Sequence, residues 1–324
     1  MGEALACGGP LVEFEDGIPI TWTNTNNGGP FAWVTTADPD VAPNETGGTG
    51  EAAIADADAF NVPGDPYDAE LWTNSFSLAT ASAANLDLRW RHRQLNNSTF
   101  DIGVSDDGGA TWTNLVNDTV GNPGGTAGDA ASLDLTPWAG ADDVTVRFRF
   151  QGDAWDYYAQ VDELALSCIQ PAITLTKTVG TVDGVCANTD TIVVEPGTDV
   201  YYCYTVTNTG NTALGLHDLV DDQLGTILDD LAFDLQPGAS VEVLLSPVNI
   251  TTTTVNTATW TAFNPDPVEA DEAEATDDAT VVVLANDTCD GAIEPATVYR
   301  SANSSHQSSN IILSRDTADK IAVI

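Results

Sequence analysis

Apolar and polar residues alternate along several segments of this 324-residue chain, and clusters of Gly, Asn, Asp and Pro separate those segments. In Leu86–Arg93 two leucines, a tryptophan and a histidine share one face, and in Val144–Phe150 every second residue is Val or Phe. A period of two is typical of a strand with one buried face, and the 3.6-residue period of a helix is almost absent here. The sequence therefore predicts an all-β fold built of β-sandwiches.

One segment between strands, Ser105–Trp112, reads Ser-Asp-Asp-Gly-Gly-Ala-Thr-Trp. Asp and Gly tolerate the positive φ angles of tight hairpin turns, and an Asp carboxylate can accept hydrogen bonds from amides across such a turn. The run is similar to an Asp box and predicts a hairpin that the tryptophan closes onto a core. Because the run occurs once, it argues against a propeller, in which it would recur from blade to blade.

Three segments in this order, Val12–Gly17, Ser105–Trp112 and Val161–Cys168, resemble the bacterial choice-of-anchor J domain and the wider MAM-like jelly-roll group. The resemblance covers about the first half of the chain. It implies that residues 1–170 form a jelly-roll β-sandwich of an extracellular protein. It characterises the type of module better than it characterises a ligand.

The second half of the chain has its own strand and turn signals. Thr205–Asn211, Leu235–Ser240 and Val255–Thr259 resemble an Ig-like repeat found in tandem on bacterial and archaeal surface proteins, where it is mostly a stalk or spacer. We expect an Ig-like β-sandwich over residues 171–284 and an irregular tail, or a truncated third module, over residues 285–324. The strands predicted in the Ig-like part are Ile173–Thr178, Thr191–Val194, Val200–Thr207, Val241–Leu245, Thr252–Thr261 and Ala279–Leu284.

The chain is strongly acidic, with 9 Lys and Arg against 49 Asp and Glu and a net charge of −40. Such repulsion disfavours nucleic acid and anionic membranes as partners. No apolar run is long enough to predict a membrane-spanning helix, so no membrane insertion is expected. The acidity fits Ca²⁺-rich or salty surroundings, in which cations screen or bind carboxylates, and a halophilic source would give the same charge balance without any metal site.

Five cysteines are present, and none lies in a zinc or haem spacing. Cys7 precedes the first predicted strand and Cys168 ends the last strand of the first half, so the two meet if these strands lie side by side. Cys186 and Cys203 flank a short strand-turn-strand unit. We predict disulfides Cys7–Cys168 and Cys186–Cys203, with Cys289 left over, in a secreted or cell-surface protein. The alternative is a set of buried free thiols.

The segment Val161–Leu164 reads Val-Asp-Glu-Leu, so two acids separate two apolar residues. This break in the alternation predicts a β-bulge that turns a carboxylate out of the strand ladder. By resemblance to jelly-roll modules, which often hold a structural Ca²⁺ near these strand ends, Glu15 and Asp162 are expected to be Ca²⁺ ligands. Asp16 is a further ligand or a turn residue. The alternative is an acidic bulge without a metal.

Five of the 9 basic residues lie on two predicted strands. Arg89, Arg91 and Arg93 share one face of the first strand, and Arg147 and Arg149 share one face of the second. If the strands are neighbours, the guanidinium groups form one cationic face that can bind acidic sugars or a carboxylate-rich partner. The alternative is pairing of each arginine with nearby Asp and Glu.

The sequence offers little support for catalysis. Serine hydrolase, zinc protease and phosphate-loop motifs are not found, and acidic pairs occur by chance in so acidic a chain. The pairs Asp221-Asp222 and Asp229-Asp230 are expected in turns, and His217 is expected in a loop. We predict a non-catalytic module that binds a glycan or surface protein, with Trp155 as an exposed contact ring. Alternatives are an accessory region of a secreted protease or glycosidase, and a structural surface-layer or filament subunit. No secretion signal or anchor is visible, so we expect neighbouring modules in a longer protein.

Overall fold

The computed structural model describes residues 7–9, 11–60, 66–121, 128–152, 155–264 and 272–284, together with the backbone of two strands near the carboxyl terminus. Its regular structure is almost entirely β-strand, which confirms the predicted all-β fold. Met1–Leu284 forms one compact unit and Ala285–Ile324 a second. The second unit contains an antiparallel pair of strands, Ile312–Arg315 and Asp319–Ala322. The remainder of the predicted tail lies outside the described residues.

The first sandwich consists of two five-stranded antiparallel sheets, which we call the front sheet and the back sheet. The front sheet contains, in spatial order, β1 (Thr23–Thr25), β4 (Tyr67–Trp72), β9 (Thr145–Gly152), β6 (Thr99–Ser105) and β7 (Thr113–Asp118). The back sheet contains β2 (Val34–Thr35), β3 (Ala53–Asp56), β10 (Tyr158–Ile169), β5 (Ala83–Arg93) and β8 (Asp129–Asp134). A short 3-10 helix, Thr136–Trp138, follows β8. Because the chain crosses repeatedly from one sheet to the other, the connectivity is that of a jelly roll.

The predicted alternation explains how the two sheets share one core. Leu86 and Leu88 of β5 are buried, and so are Phe148 and Phe150 of β9. These side chains from opposite sheets belong to a single apolar cluster, in which Phe148 stacks on Trp22 with ring centroids 6.5 Å apart. Burial of a large apolar side chain stabilises a fold by roughly 1.5–3 kcal/mol, so each of these inward-facing residues contributes to the stability of the sandwich.

The predicted hairpin joins β6 to β7. The Asp107 carboxylate accepts hydrogen bonds from the Thr111 amide (2.9 Å), the Thr111 hydroxyl (2.6 Å) and the Ser105 hydroxyl (2.7 Å). Gly108 and Gly109 have φ angles of +71° and +87°, a region that residues with a Cβ avoid. The turn therefore depends on the carboxylate and on the two glycines, as the Asp-box-like run predicts.

The second sandwich follows β10 and also has two sheets. One contains β11 (Ile173–Gly180), β13 (Thr198–Asn208) and β16 (Ser240–Leu244), with β17 (Val248–Ile250) paired to β13. The other contains β12 (Thr191–Val194), β19 (Glu272–Val283), β18 (Thr254–Phe263), β14 (Leu214–Asp221) and β15 (Gly225–Leu235). Both sandwiches lie within the compact unit Met1–Leu284, and the domain boundary at residues 170 and 171 stays a prediction.

The sequence pattern misses three of these strands, β14, β15 and β17. The acid pair Asp221-Asp222 lies at a turn between β14 and β15, as its composition predicts, whereas Asp229 and Asp230 lie within β15. Because β15 is at the edge of its sheet and mostly exposed, polar residues can interrupt the alternation there at little cost in burial. His217, which the pattern places in a loop, is buried in β14 and stacks on Phe233 with centroids 3.7 Å apart.

Both predicted disulfides are present. Cys7 bonds Cys168 with a Cα separation of 5.5 Å, and Cys186 bonds Cys203 with a Cα separation of 5.4 Å. The first joins the amino-terminal segment to the end of β10, and the second joins the β11–β12 connection to β13. Cys289 lies outside the described residues.

Candidate functional site

The predicted bulge lies on β10, where this strand pairs with β5. The register shifts between Asp162 and Ala165, and Glu163 has a φ of +50°. Val12 pairs with Leu164 of β10 through two backbone hydrogen bonds of 2.7 and 3.1 Å. The opening segment of the chain therefore lies beside the closing strand, as the sequence predicts.

Acidic side chains from both segments hold one loop, Asn44–Glu51. Each accepts at least one hydrogen bond from it. Asp162 Oδ2 accepts from Asn44 Nδ2 (2.9 Å) and from Thr46 Oγ1 (3.1 Å). Glu163 Oε1 accepts from the Thr49 amide, and Glu15 Oε1 accepts from the Glu51 amide, each at 3.0 Å. The loop is thus fixed by carboxylates that are distant in sequence.

Two glycines allow the loop to approach these carboxylates. A Cβ on Gly48 would lie 2.4 Å from Asp162 Oδ2, and a Cβ on Gly50 would lie 1.5 Å from Glu15 Oε1. The Asn44 amide nitrogen bridges the two positions, because it also donates to the Gly50 carbonyl at 3.0 Å. The Asp162 carboxylate and the Gly50 carbonyl are therefore held by the same side-chain nitrogen.

Burial dominates the electrostatics of Asp162, which is fully buried. This burial raises the pKa of the Asp162 carboxyl in spite of the hydrogen bonds from Asn44 and Thr46. Of the predicted Ca²⁺ ligands, Glu15 and Asp162 contact the same loop, whereas Asp16 is exposed in the turn after Glu15. Among the described residues, no group of three or more Asp, Glu, His or Cys side chains has an arrangement that could hold a metal ion. Loop oxygens would have to complete a shell of ligands, and the Ca²⁺ site stays a prediction.

The five arginines do not form one cationic face. Arg89, Arg91 and Arg93 lie on β5 of the back sheet, and Arg147 and Arg149 lie on β9 of the front sheet. The condition for one cationic face, that the two strands are neighbours, is therefore not met. Alternation identifies the residues that share a face of one strand, and it does not identify the strands that share a sheet.

The arginines of the back sheet contact groups of their own sandwich. Arg89 Nε lies 2.7 Å from Glu163 Oε2, and Arg91 Nε lies 3.1 Å from Glu45 Oε2. Arg91 is only 1% exposed. The Arg93 guanidinium lies 4.0 Å from the ring centroid of Tyr157. These contacts favour the structural alternative, in which the arginines fasten the loop Asn44–Glu51 and the bulge to the sheet.

The arginines of the front sheet belong to a second arrangement, on the face opposite the core. Arg149 binds Asp68 in a bidentate manner, with Nε and Nη2 each 2.7 Å from a carboxylate oxygen, and its Nε lies 3.2 Å from Glu70 Oε1. Arg147 Nη1 lies 3.4 Å from the same Glu70 oxygen. The hydrogen bonds from Arg149 lower the pKa of Asp68. We call these four side chains the charge ladder.

Two tryptophans flank one end of the charge ladder. The rings of Trp72 and Trp112 meet edge to face with centroids 4.8 Å apart, and the Arg147 guanidinium lies 4.4 Å from the Trp112 centroid. Trp72 Nε1 donates a hydrogen bond to Glu70 Oε2 at 3.0 Å. Both tryptophan rings are half-buried. They pack against the end of the charge ladder and still leave apolar surface accessible to a ligand.

A polar cleft of about 360 Å³ lies toward the other end of the charge ladder. Its lining residues are Tyr67, Asp68, Asn97, Thr99, Gln151 and Gly152. Thr99 Oγ1 beside the cleft and Asp101 Oδ1 on the same strand are buried without a hydrogen-bond partner. Burial raises the pKa of Asp101. From Tyr67 to Trp72 the face measures about 17 Å, the length of a short oligomeric ligand.

Sequence analysis identifies Arg147 and Arg149 but misses the remainder of this face. The signal is present in β4, where Asp68, Glu70 and Trp72 alternate with core residues. Trp155, which the sequence proposes as an exposed contact ring, is 45% exposed. Its part in ligand binding stays a prediction, as does that of the five arginines.

Over about half of its length, the chain is similar to solved structures of adhesin and carbohydrate-binding domains. The cleaved adhesin domain of Lys-gingipain from Porphyromonas gingivalis is 20% identical over 49% of this chain and 97% of its own, with a TM-score of 0.38. TmCBM61 in complex with β-1,4-galactotriose is 14% identical over 48% of this chain and 94% of its own, with a TM-score of 0.34.

A longer match is the glycoside hydrolase domain Endo-D from Streptococcus pneumoniae, which is 16% identical over 79% of this chain and 37% of its own, with a TM-score of 0.31. No protein-family model matches the sequence, and no curated protein is significantly similar to it. The resemblance to the choice-of-anchor J and MAM-like group stays a prediction. In the part of the chain that the structure describes, no helix has the length and hydropathy to cross a membrane.

Proposed function

We propose that the first sandwich is a non-catalytic, extracellular glycan-binding module and that its ligand lies on the outer face of the front sheet. The observation that carries this proposal is the charge ladder with two tryptophans at one end and a polar cleft at the other. Asp68 and Glu70 are committed to arginine partners, which suits them to hydrogen bonding with a ligand better than to acid-base chemistry.

The chemistry of this face suits a carbohydrate. Sugar hydroxyl groups both donate and accept hydrogen bonds, and the face offers carboxylate acceptors beside guanidinium and amide donors. Because the bidentate contact of Arg149 fixes these groups in advance, little side-chain entropy is lost on binding. The accessible edges of Trp72 and Trp112 can pack against the apolar face of a sugar ring.

The two disulfides support an extracellular location. Disulfides persist in oxidising compartments and are rare in the cytosol. Cys7–Cys168 closes the first sandwich, and Cys186–Cys203 lies within the second. Both modules are thereby suited to the outside of a cell, where a binding module requires resistance to unfolding.

We also propose a structural Ca²⁺ at the loop Asn44–Glu51, with Asp162 and Glu15 as its carboxylate ligands. The two carboxylates contact the same loop, whose carbonyl and hydroxyl groups supply further oxygens, and oxygens are the ligands that Ca²⁺ prefers. The buried carboxylate of Asp162 supports the proposal, because a cation would offset the cost of its charge. When bound, the ion would neutralise these carboxylates and stiffen the loop.

A glycan array probed with the complete chain tests the binding function, followed by calorimetric titration of any oligosaccharide that is retained. Gln151→Ala and Asn97→Ala alter the cleft without touching the core, and each should weaken binding about tenfold, the equivalent of ~1.4 kcal/mol. Asn85→Ala is the matched control, because Asn85 is exposed on β5 of the back sheet, and it should leave affinity unchanged. Retention of no glycan, or loss of binding with Asn85→Ala and not with the cleft variants, would contradict the proposal.

A further inference from the structure

The second sandwich contains a buried lysine in an unusual position. Lys177 is 0% exposed and lies on β11, on the same face as the core residues Leu175 and Val179. It is one of only two lysines in the chain. Because a buried ammonium group is costly unless it is paired and hydrogen-bonded, its surroundings require an explanation.

The Lys177 ammonium group lies among three oxygen atoms. Nζ is 2.9 Å from Asp221 Oδ2 and 2.7 Å from the Asn256 backbone oxygen, and it also contacts Asn256 Oδ1. Asp221 and Asn256 are themselves buried, at 1% exposure each. The rings of Tyr202 and Tyr204 enclose the group, with centroids 5.2 and 5.3 Å from Nζ. An amine, a carboxylic acid and a carboxamide therefore meet in a space walled by aromatic rings.

These three side chains come from three strands in two sheets. Lys177 lies on β11, Asp221 ends β14 and Asn256 lies on β18. Strand β11 belongs to one sheet of the second sandwich, whereas β14 and β18 are neighbours in the other. A bond between the lysine and the asparagine would consequently join the two sheets through the core.

Burial makes the Lys177 ammonium a stronger acid, and hydrogen bonds keep Asp221 ionised as a proton acceptor beside it. Burial lowers the pKa of Lys177. Burial also acts to raise the pKa of Asp221, but hydrogen bonds from Tyr204 and Lys177 outweigh it and lower that pKa, so a carboxylate stands ready beside the amine. Tyr204 donates to Asp221 Oδ2 at 2.6 Å. Asn256 Nδ2 is buried and has no hydrogen-bond partner in the described structure.

We propose that Lys177 and Asn256 become joined by an intramolecular isopeptide bond and that Asp221 carries the protons for its formation. The proposal rests on the geometry of the second sandwich and is independent of glycan binding by the first. It assigns to this cluster a covalent modification that the folded chain makes by itself.

The reaction balances without an oxidant, a reductant or a second substrate. Asp221 takes a proton from the Lys177 ammonium, and the free Nζ attacks Cγ of Asn256. The bond between Nζ and Cγ forms, and the bond between Cγ and Nδ2 breaks. Two protons in total move from Nζ to the departing nitrogen, which leaves as ammonium, and Asp221 ends as the carboxylate it began as. A lysine amine attacking a carbonyl carbon beside a general base is ordinary nucleophilic chemistry.

The product resolves the energetic difficulty of the buried lysine. An ammonium ion whose burial has to be compensated becomes a neutral amide. The Asp221 carboxylate loses its cationic partner and keeps the hydrogen bonds from the Tyr204 hydroxyl and from the Gln223 and Leu224 amides. The bond links the first strand of the sandwich to the strand before its last, across both sheets. Forced or thermal separation of the sheets would then require breaking a covalent bond.

Intact mass spectrometry of the complete, folded chain after reduction of its disulfides provides the test. We expect a mass lower than the sequence mass by one ammonia molecule. Digestion with a protease that cleaves at acidic residues should yield a cross-linked peptide pair containing Lys177 and Asn256. A full sequence mass in folded protein overturns the proposal. So does a loss of ammonia without that cross-link, because a succinimide at an asparagine gives the same loss.

Variants assign the roles of the side chains. Lys177→Met removes the nucleophile, and Asp221→Asn removes the proton carrier at nearly constant shape, so both should show the full sequence mass. Asp222→Asn is the matched control, because Asp222 is adjacent in sequence and exposed, and it should still lose ammonia. Loss of ammonia with the cross-link in Asp221→Asn would overturn the role of Asp221. If a core variant does not fold, the mass of the folded wild-type chain decides the proposal alone.

Discussion

At the scale of the residue, contacts with distant segments decide what an arginine does. Arg89 and Arg91 stand two positions apart on β5 and both pair with glutamates. The side chain of Arg89 is 35% exposed, whereas that of Arg91 is 2% exposed and faces Glu45 of the covering loop. The alternation of the strand places Arg89 and Arg91 on the same face. Arg91 is buried because the loop Asn44–Glu51 covers it.

Asp107 should show the pH dependence of a carboxylate that holds a turn. Hydrogen bonds from Thr111 lower the pKa of Asp107 from 3.8 to about 2. Because this pKa is depressed, the stabilising contribution of Asp107 is complete above pH 3.8 and is lost as the pH falls through about 2. In an NMR titration, the chemical shifts of the Asp107 carboxyl and of the Thr111 amide should both change with a midpoint near pH 2.

Replacing Asp107 with Asn should remove the titration of the Thr111 amide, whereas Asp106→Asn, the neighbouring control, should preserve it. A midpoint near 3.8 would show that the hydrogen bonds across the turn do not form in solution.

Of the residues in the buried lysine cluster, Lys177 is the one that can be identified from the sequence. It interrupts the series Ile173, Leu175, Val179 on the buried face of β11, and a lysine at an inward position of a strand is a visible signal. Its partners leave no such signal, because Asp221 and Asn256 resemble the many other turn and strand residues of an acidic, Asn-rich chain. Separations of 44 and 79 positions are closed only by the fold.

At the scale of the element, alternation predicts β5, β9, the Ser105–Trp112 hairpin and the bulge of β10 from local residues alone. It does not predict that β5 and β9 lie in opposite sheets, because sheet membership depends on crossings that no local pattern records. It also misses β15, whose edge position relaxes the demand for an apolar face. Local sequence therefore predicts several of the longer strands and one turn, whereas the candidate sites depend on which strands meet.

Two adjacent glycines in the hairpin between β6 and β7 allow the effect of backbone strain on stability to be measured separately from the effect of side-chain packing. Gly108→Ala introduces a Cβ at a φ of +71° with no atom within 4 Å, so it should cost about 1–2 kcal/mol through strain alone. Gly109→Ala adds to similar strain a Cβ only 2.6 Å from the ring of Trp72. Overpacking of this kind costs roughly 1–3 kcal/mol more.

Urea denaturation of both variants measures this difference in the free energy of unfolding. Equal losses for Gly108→Ala and Gly109→Ala would mean that Trp72 moves aside freely and does not brace the hairpin against the charge ladder.

At the scale of the whole molecule, the two disulfides close loops of very different length. Cys7 and Cys168 are 161 positions apart, and Cys186 and Cys203 are 17 apart. Chain entropy predicts stabilisation of about 5 kcal/mol for the first and about 3 kcal/mol for the second. Urea denaturation of the two Cys→Ser double variants should therefore show the larger loss for the Cys7–Cys168 pair.

Tryptophan fluorescence can follow the two sandwiches, because Trp260 is the only tryptophan within residues 171–284. If removing the Cys186–Cys203 bond lowered the free energy of unfolding more than removing the Cys7–Cys168 bond, loop length would not determine how much these disulfides stabilise the chain.

The charge of the whole chain and the acids at one loop predict different responses to cations. A net charge of −40 makes any salt stabilising through general screening. A specific site at Asp162 and Glu15 should respond to Ca²⁺ beyond this, because burial raises the pKa of Asp162 and makes its ionised form destabilising as the pH rises through that value. Bound Ca²⁺ offsets this cost at neutral pH.

Ca²⁺ at a hundredfold excess over its Kd should therefore add about 2.7 kcal/mol to the stability of the first sandwich and leave the second nearly unchanged. Differential scanning calorimetry with tryptophan fluorescence measures both transitions, with Mg²⁺ and Na⁺ at matched ionic strength as cation controls. Asp162→Ala should abolish the excess effect of Ca²⁺, whereas Asp87→Ala, an exposed acid on β5, should retain it. Equal stabilisation by all three cations, or an undiminished Ca²⁺ effect in Asp162→Ala, would reduce the influence of Ca²⁺ to screening of an acidic surface.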